Sequence, residues 1–185
     1  MKMKAIGYAG IVLVMVGQGD VVYAAGNSPS DAATPGTVVA GIIECGDGYT
    51  SHELYDVKLT VLELIRGESA WQRIATMGQP PGAGQEYILA RIRFEYYARG
   101  RPGDCEHTVK PTQFTALSAD GTPYITPTLA MPEPGLNGVL HAEQTREGWI
   151  TVQVAQDEAN PLLTFSVDDT GAVQHGGKLW FQLYH

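Results

Sequence analysis

The chain is poor in the features that most directly assign a function. Two cysteines, 12 basic residues and 20 acidic ones are all it carries in 185 residues, for a formal net charge of −8 at pH 7. An acidic chain is repelled by phosphate backbones and anionic headgroups, so no nucleic-acid partner is expected. There is no Gly-x-Ser-x-Gly elbow to hold a nucleophile on a sharp turn, and Ser51, Ser69, Ser118 and Ser166 have no such context. His52, His107, His141, His175 and His185 lack the His-Glu-x-x-His or other close spacing of a zinc site. No internal repeat is visible, and no apolar run reaches the ~20 residues of a spanning helix. These absences point away from an enzyme and from any bound cofactor.

What is present starts with a leader. Lys2 and Lys4 precede an apolar run over residues 5–17, and Val22-Tyr23-Ala24 supplies the positions a signal peptidase inspects. Residues 1–24 therefore read as a signal peptide cleaved after Ala24, with an uncleaved anchor as the alternative. No cysteine near this site suits a lipid anchor. Removing Lys2, Lys4 and Asp20 with the leader leaves a net charge of −9. The mature chain is expected to be secreted or periplasmic, with no membrane span. Residues 25–36 are small and polar and read as a flexible lead-in with nothing to bury. Residues 37–185 are enough for one domain.

The strongest pattern lies at residues 86–97. Ile88, Ala90, Ile92, Phe94 and Tyr96 alternate with Arg91, Arg93 and Glu95, the period of a central strand with one dry face. Residues 55–65 alternate likewise until Leu62 and Leu64 change sides, which predicts a bulge or burial on both faces. Residues 69–77 are the one helix: Ser69 and Gln72 have capping-box spacing, and Trp71 should dock it on the sheet. A weak strand is expected at 37–43, and Asp120-Gly121 marks a hairpin between 112–117 and 123–125. Prolines make 126–138 a loop or edge segment. Further strands are expected at 149–154, 162–167 and 178–184. Two sheets burying one face each would place Ile88, Ala90, Ile92 and Phe94 against Val57, Leu59, Ile150, Val152, Phe165 and Phe181. Cys45 and Cys105, in an exported chain and in loops flanking these strands, are expected to form a disulfide.

Gly67-Glu68-Ser69-Ala70-Trp71, Gly84-Gln85-Glu86-Tyr87-Ile88-Leu89, Asp120-Gly121, Glu147-Gly148-Trp149, Asn160-Pro161-Leu162-Leu163 and Trp180-Phe181 occur in an order that carries a resemblance. From about Tyr55 to the C-terminus the chain resembles a bacterial family of exported immunoglobulin-like domains of unknown function, related to the mycobacterial immunoprotective extracellular protein group. The resemblance implies an all-β, immunoglobulin-like antiparallel β-sandwich with one short helix after the first strong strand, and export or surface attachment. It brings no catalytic residues, and the chain lacks the lipidated cysteine of many members.

For function, Tyr87, Arg91, Arg93, Tyr97, Arg99 and Arg101 form the candidate recognition surface for a protein or cell-envelope component, because tyrosine and arginine are enriched at interface centres. The plainer reading is a solvated sheet face balanced by Glu95 and Asp104. The alternative function is a metal-binding protein or metal-dependent enzyme, in which His52 and His107 join Glu44, Asp47 or Glu106. Otherwise the histidines are exposed loop residues. Asp157-Glu158 and Asp168-Asp169 fall in turns, where aspartate bonds backbone amides.

Overall fold

Alternating apolar residues over two long stretches set the architecture. The computed structural model describes residues 25–45, 53–100, 104–124, 129–167 and 177–184. In chain order the strands are β1 (Val38–Cys45), β2 (Glu53–Arg66), β3 (Gln85–Ala98), β4 (His107–Val109), β5 (Phe114–Leu117), β6 (Gly138–Leu140), β7 (Gln144–Ala155), β8 (Leu162–Phe165) and β9 (Leu179–Gln182). One α-helix, α1 (Glu68–Ile74), follows β2. A four-stranded sheet ordered β1-β2-β3-β7 and a three-stranded sheet ordered β5-β8-β9 form an all-β antiparallel sandwich, with β4 and β6 pairing separately. The helix follows the first strong strand, as the sequence predicts.

The shared core is the expected one. Val57, Leu59, Ile88, Ala90, Ile92, Phe94, Ile150, Val152, Phe165 and Phe181 are all buried in one cluster, to which β4 and β6 add Val109 and Leu140. Across the sandwich Phe94 meets Phe165 edge-on at 5.6 Å between ring centroids. The irregularity in β2 falls at Leu62, where the register with β3 shifts between Val61 and Glu63. That extra residue moves Leu64 onto the core side, opposite Ala90.

Three expectations are corrected. Residues 25–36 do have something to bury: Ala32 and Ala33 are buried, and Ala33 forms a parallel bridge with Phe181. The Ala33 amide donates to Trp180 O and the Gln182 amide to Ala33 O, both at 2.9 Å, so the segment lies along β9. Helix α1 begins at Glu68 with Gly67 as its N-cap at φ 66°, and Ser69 makes no capping bond. Only glycine takes that φ without strain. The helix docks through Ala70 and Ile74, with Trp71 half-buried beside them. The hairpin at Asp120-Gly121 forms as expected, with Leu117 bridged antiparallel to Pro123 and the Tyr124 amide donating to Ala116 O, while β5 pairs with β8 on its other side.

Cys45 and Cys105 form the disulfide, 60 residues apart with Cα atoms at 6.4 Å. Cys45 ends β1 rather than sitting in a loop, so the bridge ties that strand to the entry of β4. In the chain-entropy model a loop of this size is worth roughly 4 kcal/mol.

Candidate functional site

Odd-numbered residues of β3 point away from the core, and α1 divides that face in two. After Gly67 turns the chain, the helix lies over the first half, burying Tyr87 and Leu89 with Ala70, Ile74 and Trp149. Tyr87 is only 4% exposed. Its hydroxyl donates to Gln79 O at 2.9 Å, and burial raises its pKa. This corrects its place in the recognition surface: it belongs to the helix seat. The Arg73 guanidinium, in the last turn, stacks 4.7 Å over the Trp149 ring and fastens the helix to β7.

The second half of the face is open. Arg91 and Arg93 keep 42% and 44% of their side-chain surface, yet both grip Glu147 on the neighbouring β7. Arg91 Nη2 donates to Oε2 at 2.8 Å and Arg93 Nε to Oε1 at 2.8 Å, one guanidinium on each carboxylate oxygen. The Arg93 hydrogen bond is the main reason the Glu147 pKa is lowered. Tyr97 donates to Glu95 Oε2 at 2.7 Å, and Lys58 Nζ lies 5.0 Å above its ring. Arg99 pairs with Asp56 at 2.8 Å. Arg101, the remaining expected binding residue, lies outside the described residues. The open half thus brings together Arg91, Arg93, Tyr97 and Arg99. The counterions of the arginines are Glu147 and Asp56 rather than Glu95 and Asp104. Arg93 and Glu147 are ladder partners, a pairing that requires the register and has no signal in the linear sequence.

The histidine cluster takes a different shape from the one expected. His107 is a core residue, 7% exposed, with its ring stacked on Phe94 at 5.4 Å and tilted against Tyr96 at 5.7 Å. Burial lowers its pKa to about 4. Its Nε2 and the Tyr96 hydroxyl are buried without a hydrogen-bond partner. Glu106 faces His141 at 3.5 Å instead. His52 and Asp47 lie outside the described residues, among which no group of three or more His, Cys, Asp or Glu is placed to hold a metal. Asp168 and Asp169 also lie outside them. Glu158 of the other acidic pair accepts from the Ala119 and Asn160 amides and from the Tyr124 hydroxyl, a structural use.

One feature went unanticipated. A groove of about 560 Å³ opens where α1 ends, lined by Ile74, Met77, Pro80, Leu129 and Gln153 among others. Gly78 and the proline pair that stop the helix are its only sequence signal.

No family model and no curated protein matches the chain. Among solved structures it is similar to the presumptive lipoprotein YcdA of Bacillus subtilis, at 12% identity and a TM-score of 0.48, over 68% of this chain. It spans 35% of that protein, about a third. The YjhA protein of Bacillus subtilis is similar at 8% identity and a TM-score of 0.48, covering 82% of this chain and 98% of its own. MPT63, a secreted protein of Mycobacterium tuberculosis, is similar at 14% identity and a TM-score of 0.43, covering 76% of this chain and 91% of its own.

Proposed function

We propose that the protein is an exported, non-catalytic immunoglobulin-like module that binds a protein or cell-envelope component through the open half of its outer face. One observation carries the reading: α1 covers Tyr87 and Leu89 but leaves Arg91, Arg93, Tyr97 and Arg99 accessible as one patch. Export is supported by the basic and apolar leader and by the disulfide, a bond that persists in oxidising compartments. Guanidinium groups already held by Glu147 and Asp56 are oriented in advance, which lowers the entropy lost on meeting a partner's carboxylates.

The test is capture from envelope extracts of the native host with the mature protein and with an Arg91→Glu/Arg93→Glu variant that retains the parent's circular dichroism. A component retained by the parent and lost by the variant is the expected result. Identical capture by both would remove this face as the binding site.

A further inference from the structure

The two main sheets have four lateral edges, and irregular chain covers three of them. Along β7, the Leu136 amide donates to Trp149 O and the Trp149 amide to Pro134 O, both at 2.9 Å. A Cβ on Gly148 would stand 2.6 Å from the backbone of Gly135, so that cover sits tightly against the strand. Along β9 the cover is the segment ending at Ala33. Along β5 it is Pro123 and Tyr124, whose amide donates to Ala116 O. The edge of β1 is different. Among the described residues, positions 38–43 make no backbone hydrogen bond beyond their ladder with β2.

Nothing in β1 guards that edge. It has no proline and no lysine, and its register with β2 runs unbroken from Val38 opposite Thr60 to Cys45 opposite Glu53, so no bulge twists it away. Its outward residues begin Val38, Ala40, Ile42, with Val38 41% exposed, and no charge comes before Glu44. An apolar, regular edge that no described residue pairs with is a template for another strand.

We infer that β1 is the docking edge for a second copy of this chain, added antiparallel about a two-fold axis to join two four-stranded sheets into one of eight. The incoming strand must be extended and uncharged over about six residues, and it must keep its apolar side on the correct face; β1 itself meets each condition. With Gly41 opposite its own copy, Ala40 faces Ile42 and Val38 faces Glu44, so no like charges are apposed. That register preserves parity, leaving both dry faces on their own cores. The net charge of −8 opposes association over most of the surface, and an uncharged seam is where two acidic copies can meet. Eight residues span only about 27 Å. The contact is at the small end of specific interfaces, and the dimer is weak, reversible and favoured by salt.

Sedimentation velocity of the mature protein over a micromolar-to-millimolar concentration series, at low and high salt, tests this. A reversible monomer–dimer equilibrium is expected, strengthened by salt and lost in a Val38→Lys/Ile42→Lys variant whose thermal melt matches the parent. Hydrogen exchange provides a second reading: outward β1 amides become protected as concentration rises. A monomer throughout the series would overturn the inference, as would a dimer indifferent to the lysines. Protection of β1 amides that appears only on adding envelope extract would also overturn it, in favour of a foreign strand.

Discussion

The two halves of β3 have the same inner side and opposite outer sides. Ile88 and Ala90 in the first half, and Ile92, Phe94 and Tyr96 in the second, all enter the shared core. Outward, Tyr87 and Leu89 are sealed under α1, whereas Arg91, Arg93 and Tyr97 meet solvent. The difference comes from where β2 stops. Gly67 folds the chain back at once, and its amide bonds Tyr87 O at 2.9 Å, so a seven-residue helix can reach only the start of the next strand. A single turn residue thus divides one face into a structural half and an available half.

Truncations along β3 sharpen that division. Phe94→Ala removes a ring packed on Phe165 and His107, and should cost about 3 to 5 kcal/mol in urea unfolding. Unfolding like the parent's would mean that the strand does not hold the sandwich together. Leu89→Ala opens a cavity between the sheet and the helix, for which about 2 to 4 kcal/mol is expected, with accelerated exchange confined to α1 and its flanks.

On the core side of the open half, His107 adds a pH dependence. Its pKa is about 4 in the folded protein against 6.5 for the free group, so between these values the unfolded chain binds the extra proton. Stability from this group is complete above about pH 7 and falls as pH drops from about 6.5 to 4, by up to about 3 kcal/mol. The check is the difference in unfolding free energy between the parent and His107→Leu from pH 7.5 to 4. Parallel curves would show that the ring is not held neutral. Smallest is the outer ion-pair cluster: Arg91→Ala and Arg93→Ala should each change stability by less than about 1 kcal/mol, since exposed pairs are screened. A loss comparable to Leu89→Ala would erase the distinction between the halves.

Much of the sandwich was readable because burial on one face imposes a period of two, as in Val57, Leu59, Ile92 and Phe94, and because a bulge shows where that period breaks at Leu62. Tyr87 was misplaced because residue type alone grouped it with the arginines. Tyr87-Ile88-Leu89-Ala90 is an unbroken apolar run, the mark of a strand covered on both faces. β4 and β6 are three residues long, too short for any period to register. The segment at Ala32 and Ala33 buries little side chain and is held by backbone hydrogen bonds, which composition does not reveal. Of the candidate site, the outward positions of Arg91 and Arg93 were legible from their alternation with Ile92 and Phe94. Glu147, the counterion these two share, was not, because it comes from a strand more than 50 residues further along the chain through the register of β3 with β7.

The contact of Ala33 with Phe181 also bears on the order of events in folding. It closes nearly the whole length of the chain, and contacts of such high order must overcome loop-closure entropy before any pairing rewards it. The second sheet gains its outermost cover only when β9 has been delivered. A chain emerging N-terminus first therefore carries Ala33 without its bridge to Phe181 until β9 follows, and that late-arriving strand acts as the clasp that completes the sheet.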